Sequence, residues 1–275
     1  MAIYSSKGPG KLADGARVAL VTGATGAIGK AIARQLAAND PRSHVILVGR
    51  DEQKARAEVS DIRRSTGSEN VWYEIANLAR KEEIEALAAR WPGRLDILIN
   101  NAATSPKSRQ ETPEGIELQF ATNVLGYFWM ARAFEDILAR SAPSRLINVA
   151  SYWAGDLDLA DLEFKKRRYN NNTAYRQSKQ ADRMLTAALA ERLRPLGISV
   201  NACHPGDVNS RLSNDLGFGG HESPGAGART PVWLATADIG QEATGKYFEH
   251  ERETPCRFMA DHRAVEALYA ICLAY

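Results

Sequence analysis

Val18-Ala19-Leu20-Val21-Thr22-Gly23-Ala24-Thr25-Gly26-Ala27-Ile28-Gly29 reads as a short apolar strand, a glycine-rich turn and the opening of a helix. The strand is 18–21, and the helix continues through 30–38, where Ile32, Ala33 and Leu36 make one buried stripe. Glycines let the backbone turn tightly and approach a pyrophosphate closely. The helix start adds free N–H groups and the positive end of its dipole. Gly23, Thr25, Gly26 and Ile28 are therefore candidate dinucleotide contacts. A turn that needs glycine only for its own φ angles is the plain alternative. No Gly-Lys-Ser/Thr follows, so the loop is not a Walker loop.

Outward from this stretch the alternation repeats. Strands are expected at 44–48, 71–75, 95–100, 145–149 and 198–203. Helices are expected at 52–66, closed by Gly67, and at 81–90, 116–139 and 175–194. The strands are apolar without in-out alternation, which suits strands covered on both faces. The fold class is α/β: one Rossmann-like doubly wound parallel sheet of about seven strands with helices on both faces. In such sheets ligands bind beyond the carboxyl ends of the strands, so the residues after each strand carry the argument.

After the second strand comes Val48-Gly49-Arg50-Asp51. An acidic residue there favours the ribose hydroxyl of NAD, and an arginine favours the phosphate of NADP. Arg50 points to NADP(H) over NAD(H), with a surface pair to Asp51 as the bland reading. After the fifth strand comes Ser151. At the expected start of the helix 175–194 stand Tyr175 and Lys179, one turn apart on one face. A free tyrosine titrates near about 10, and a neighbouring ammonium is expected to lower it toward useful acid/base range. Ser151 can donate a hydrogen bond to a substrate oxygen.

These residues, in this order, resemble a short-chain dehydrogenase/reductase over nearly the whole chain. Asn100-Asn101-Ala102-Ala103 is similar to the family's Asn-Asn-Ala-Gly, which lines the cofactor ribose and nicotinamide. Asn123 matches the helix asparagine that holds a water in the proton relay, and with Ser151, Tyr175 and Lys179 completes the family's catalytic tetrad. The resemblance implies that Lys179 also bonds the nicotinamide ribose. Pro205-Gly206-Asp207-Val208-Asn209-Ser210 resembles the segment that contacts the nicotinamide carboxamide, through Pro205, Gly206, Val208 and Ser210. Asn77-Leu78 stands where Asp-Leu usually meets the adenine. Departures are Ala27 for the middle glycine of the loop, Asn77 for Asp, Ala103 for Gly and Ser210 for Thr.

The interval from Ser151 to Tyr175 is longer than in most of the family. Its insertion resembles the retinol-dehydrogenase-like and protochlorophyllide-reductase-like groups, and Arg50-Asp51 and Gly245-Lys246-Tyr247-Phe248 near the end resemble the retinol-dehydrogenase group. Those groups imply a bulky, largely apolar carbonyl or alcohol. One domain over 1–275 is expected, with the insertion at 152–174 and a glycine-rich substrate lid at 210–229. Trp153 joins Ser151 and Tyr175 as a substrate contact. His204 is read as a packed strand-end histidine, and Phe128 and Trp129 as core or subunit contact. The rivals are an enone C=C reductase and a cofactor-sensing protein without chemistry.

Thirty-five Lys and Arg against thirty-three Asp and Glu leave a formal charge of +2, with no footprint for nucleic acid. Only Lys165 to Arg168 is a basic run, read as a solvated loop rather than a phosphate patch. Three scattered cysteines offer neither a disulfide framework nor a zinc site, and no metal is called for. Residues 1–16 hold no signal-peptide core, and no apolar run reaches membrane-spanning length. A cytoplasmic protein is expected. The resemblance implies a homodimer or homotetramer through the two long helices. Ala187, Ala188 and Ala190 either permit that contact or pack inside the monomer.

Overall fold

The computed structural model describes residues 3, 4 and 12–275. The reading of 1–16 as leader-free falls mostly outside them. The elements run β1 (Val18–Thr22), α1 (Ala27–Asn39), β2 (His44–Gly49), α2 (Glu52–Thr66), β3 (Val71–Ile75), α3 (Lys81–Ala89) and β4 (Ile97–Asn100). A π-helical turn (Phe120–Leu125) leads into α4 (Gly126–Ala133) and α5 (Glu135–Arg140). Then come β5 (Ser144–Val149), α6 (Asn171–Leu193), β6 (Ile198–His204), α7 (Arg211–Asp215), α8 (Pro224–Gly227), α9 (Arg229–Thr236) and α10 (Ile239–Glu242). β7 (Lys246–Glu249), β8 (Arg252–Glu253), α11 (Arg257–Ala260) and α12 (His262–Leu273) follow.

The strands form one sheet in the order β3-β2-β1-β4-β5-β6-β7-β8, parallel except for the β7–β8 pair. Eight strands exceed the expected seven because the chain turns back through His250 and Glu251, both at positive φ, into a two-residue edge strand. Burial on both faces explains the unbroken apolar runs. Val18 and Leu20 enter the core under α3, α4 and α6, while Ala19 and Val21 enter the core under α1, α2 and α9. The order reverses between β1 and β4, which opens a crevice at their carboxyl ends.

Local signals account for the best-matched element. Asp51 caps α2 by accepting from the Lys54 N–H at 3.1 Å, and Gly67 ends it at φ +72. The single helix expected at 116–139 is instead interrupted. The Glu117 carboxylate accepts from the Gln119 and Phe120 N–H groups and starts the helix there. The π turn then adds a residue, and the helix breaks at Phe134. Gly126 is required because a Cβ would lie 2.6 Å from the Leu78 carbonyl oxygen. The helix expected from 175 begins at Asn171, where the Asn170 side chain accepts from the Thr173 N–H.

Ala188 and Ala190 are buried in the core with Leu268 and Cys272 of α12, and Ala187 is partly buried against it. Phe128 and Trp129 are likewise core residues. Among the described residues no helix is long and apolar enough to cross a membrane.

The insertion is tied down rather than loose. Asp161 accepts from the N–H groups of Lys165, Lys166 and Arg167. Glu163 accepts from the Glu117 N–H at 3.1 Å and from the Tyr275 hydroxyl at 2.8 Å. Burial pushes the Glu117 carboxyl up to about 7 from 4.5. The folded state thus holds this proton more tightly than the unfolded chain. Stability from Glu117 is full below pH 4.5 and is lost as pH rises through 7. Denaturant titrations of Glu117→Gln against the parent should show the difference between them shrinking or reversing in favour of the variant across that window. A pH-independent difference would refute it.

Candidate active site

β1 ends at the phosphate loop. Gly23 adopts φ +62, and a Cβ there would stand 2.7 Å from the Ala102 Cα. At Gly29 a Cβ would meet the Gly23 oxygen at 2.5 Å. Both glycines let β1's loop, α1 and the β4 loop close on one another. The Asn101 and Ala102 N–H groups donate to Thr22 Oγ1, and Asn101 Nδ2 donates to the Thr22 oxygen at 2.9 Å. Gly26 is exposed and precedes α1 with no side-chain cap, so the first N–H groups of a thirteen-residue helix face the crevice mouth. Ala27 continues this turn into the helix. Thr25 packs over Gly49 at the end of β2. Arg50 is exposed and pairs with no described residue, because Asp51 is engaged in capping α2. The bland Arg50–Asp51 pair is therefore absent.

Asn77 follows β3. Its side-chain oxygen accepts from the Ala79 N–H at 3.2 Å and so shapes the turn, while Leu78 is buried in the core. Ala103 is exposed beyond β4. Asn123 lies within the π turn, wholly buried. Its Oδ1 accepts from the Thr104 N–H at 2.8 Å, and its Nδ2 donates to the Thr104 oxygen and to Ser178 Oγ. Its side chain thus anchors the β4 loop against α6.

Ser151, Tyr175 and Lys179 come together behind this loop. The Ser151 hydroxyl faces Tyr175 and accepts from the Trp153 N–H at 3.0 Å. Burial holds the Tyr175 phenol well above its ordinary range, and Ser151 opposes that only in part. The expected lowering by Lys179 is not found. The ammonium lies 5.9 Å from the Tyr175 ring centre and donates to the Val149 oxygen at 3.0 Å and to Asp182 Oδ2 at 2.8 Å. It lies 4.9 Å over the Tyr127 ring. A buried ammonium needs a counter-charge, and Asp182 supplies it.

A cavity of about 270 Å³ opens on Ser151 and Tyr175. Its walls include Ile28, Tyr152, Trp153, Val208, Leu212 and Phe218. The rings of Trp153 and Phe218 meet edge to face at 5.5 Å. Pro205 and Gly206 line it too, and Gly206 at φ +101 keeps room for the Glu222 carboxylate, which accepts from the Asp207 N–H. Ser210 also borders the cavity, but its hydroxyl caps α7. His204 is packed against Tyr152 at 4.7 Å, and burial pushes it down to about 3, so it is neutral.

The basic run is a set of local pairs. Lys165 bonds Glu163, Lys166 bonds the Ala160 oxygen, and Arg167 bonds Asp161. Among the described residues no cluster of His, Cys, Asp or Glu is arranged for a metal.

Sequence reading missed Asp182 and Arg183. Arg183 is buried, donates to the Ser151 carbonyl and to the Tyr247 hydroxyl, and stacks on the Tyr247 ring at 3.7 Å. The available signal was charge on a helix face otherwise made of Ala, Met and Leu.

Comparison with known proteins agrees with this architecture. A family model described as short chain dehydrogenase matches residues 17–217. Human retinol dehydrogenase 13 is 34% identical over 95% of this chain and 85% of its own length. Mouse retinol dehydrogenase 12 is 33% identical over 84% of this chain and 77% of its own. A solved protein of Mycobacterium paratuberculosis superposes with a TM-score of 0.77 at 27% identity, covering 100% of this chain and 97% of that one. With its doubly wound sheet, glycine-rich loop and strand-end serine facing a helix tyrosine, the chain belongs to the short-chain dehydrogenase/reductase family of oxidoreductases, in its retinol-dehydrogenase-like group.

Proposed function

We propose that the chain is an NADP(H)-dependent oxidoreductase acting on the carbonyl or alcohol of a bulky, largely apolar small molecule. The observation that carries this reading is the meeting of Ser151 and Tyr175 at a cavity walled by Trp153 and Phe218. Apolar walls with few polar groups converging on one point suit a hydrophobic molecule held by a single oxygen. Retinol, for which the similar retinol dehydrogenases are named, is of that kind.

The glycine loop fits a dinucleotide: side chains are sterically barred at Gly23 and Gly29, and the uncapped start of α1 suits a pyrophosphate. When bound, the nicotinamide supplies the hydride donor or acceptor. Tyr175 donates the proton to the substrate oxygen in reduction and takes it back in oxidation. Ser151 donates a hydrogen bond to the same oxygen as charge develops there. Its carbonyl is held by Arg183, which fixes the hydroxyl's position. Trp153 and the half-exposed Phe218 present an apolar wall beside the reacting oxygen. Asn123 supports the loop that carries Asn101, Ala102 and Ala103 against α6.

Arg50 supports NADP over NAD, since it stands at the end of β2 with its guanidinium unpaired among the described residues. NADPH consumption with a panel of retinaldehydes, ketones and quinones tests the proposal. Turnover with NADPH well above NADH is expected. Arg50→Ala should weaken NADPH by about 10- to 100-fold and leave NADH unchanged, the size of one charged hydrogen bond. Equal use of both cofactors by the parent would remove the NADP assignment.

A further inference from the structure

Three consecutive residues diverge in contact at the end of β5. Ser151 faces Tyr175. Trp153 packs on Tyr175 at 6.1 Å and on Phe218 at 5.5 Å, which completes an apolar wall. Tyr152 instead sets its ring on His204 at 4.7 Å and its hydroxyl toward the Asp207 carboxylate. All of these residues line the one cavity. The cavity thus holds a second polar place besides the Ser151–Tyr175 pair.

The turn after β6 fixes the backbone of Asp207. Gly206 takes φ +101, the Asp207 N–H donates to Glu222 Oε1 at 3.0 Å, and the Asp207 carbonyl accepts from the His221 and Glu222 N–H groups. The side-chain carboxylate of this half-buried residue forms no ion pair among the described residues. Nor is a cation supplied from nearby. Arg183 is directed to the Ser151 carbonyl and to Tyr247, and Arg211 pairs with Asp215. The other hydroxyls of the wall are spent locally: Ser210 Oγ caps α7, and Ser213 Oγ donates to the Gly219 oxygen at 2.9 Å. His204 is 5% exposed, and its Nδ1 is buried with no hydrogen-bond partner. A buried polar atom left open beside an unpaired carboxylate suits a polar group on whatever fills the cavity.

We propose that Asp207 is a specificity-determining residue that takes a protonated amine of the substrate, so that the molecule bound here is a largely apolar carbonyl or alcohol carrying a basic nitrogen apart from its reacting carbon. This rests on the cavity being the substrate site of the oxidoreductase. Ser151 and Tyr175 hold the oxygen, Trp153 and Phe218 flank the apolar body, and Asp207 receives the ammonium, with Tyr152 donating to the same carboxylate from the wall. A carboxylate set among apolar walls favours the partner that brings the opposite charge over a neutral one of the same shape.

The test compares isosteres. With NADPH, kcat/KM is measured for 4-(dimethylaminomethyl)benzaldehyde against 4-isobutylbenzaldehyde, and for the pairs lengthened by one and by two methylenes. In at least one pair the parent should prefer the amine by about 10- to 100-fold, the size of one charged hydrogen bond, and the preference should lie in KM rather than kcat. Asp207→Asn should bring that ratio near one, and Asp207→Ser serves if the asparagine variant does not fold. Asp207→Glu should keep the preference. A general loosening of the cavity would weaken both members of a pair and leave their ratio in place. Equal use of both members of every pair by the parent, or a preference that survives in the folded neutral variant, overturns the proposal. So does a stronger preference for 4-(hydroxymethyl)benzaldehyde, which would make the ligand group a neutral donor. A loss of NADP⁺ affinity relative to NADPH in Asp207→Asn would assign the carboxylate to the nicotinamide ring and overturn it as well. Reduction of no aldehyde by a parent that binds NADPH would instead overturn the carbonyl reading beneath, so the two failures are distinguishable.

Discussion

Tyr175→Phe should lose turnover by about 10²–10⁴-fold, the range set by removing one general acid/base. The substitution removes one hydroxyl from a side chain that is 7% exposed, so little else changes. Its hydroxyl faces Ser151, and the ring lies 6.1 Å from that of Trp153, which keeps the cavity wall in place without the oxygen. NADPH binding, followed by fluorescence or calorimetry, should therefore survive within a few-fold. A loss in kcat with unchanged cofactor affinity marks a group acting in the chemical step. A variant with parent-like turnover would leave Ser151 or a water as the proton source and would remove Tyr175 from the mechanism.

Gly23→Val should abolish dinucleotide binding and destabilise the fold. Two penalties coincide at this position. The φ of +62 is one that a β-branched residue avoids, at about 1–3 kcal/mol. The added Cβ would also stand 2.7 Å from the Ala102 backbone, which is fixed by hydrogen bonds to Thr22 and cannot easily retreat. The β1 and β4 loops would be forced apart where they form the crevice. A lowered melting temperature with no further rise on adding NADPH is the expected result. By contrast Gly67→Ala, at φ +72 with open space around its Cβ, should lose stability but keep the ligand-induced rise. Parent-like NADPH stabilisation of Gly23→Val would show that the loop does not hold the cofactor.

Much of this architecture was legible in the chain because burial on both faces of a parallel sheet leaves unbroken apolar strands. α2 and β3 were read to the residue, and α2 carries a complete set of local signals in Asp51 and Gly67. The interrupted helix was not legible. Its start depends on the Glu117 carboxylate bonding two backbone N–H groups, and its π turn on close packing of Gly126 against Leu78. Neither leaves a periodic trace. Tyr175, Ser151 and the glycine loop were found because their chemistry is tied to spacing and strand ends. The pairing of Lys179 was not, because it depends on Asp182, three residues along the helix, being buried with it. Spacing locates two side chains on one face but does not say which partner a flexible ammonium takes.

The Glu163 carboxylate joins segments remote in sequence: the N–H of Glu117, the insertion that carries Glu163 itself, and the hydroxyl of Tyr275. Such a junction behaves as one cooperative unit rather than as a surface loop against a fixed helix. The Glu117 amide hydrogen bonded to Glu163, and the Phe120 amide hydrogen bonded to Glu117, should exchange with solvent at matched rates, and both should speed up together when Glu163→Gln removes the charge. The wall of the cavity and the turn that carries Asn123 would then loosen as a single event. The insertion is thereby a folding partner of the helix beside it as well as a boundary of the pocket.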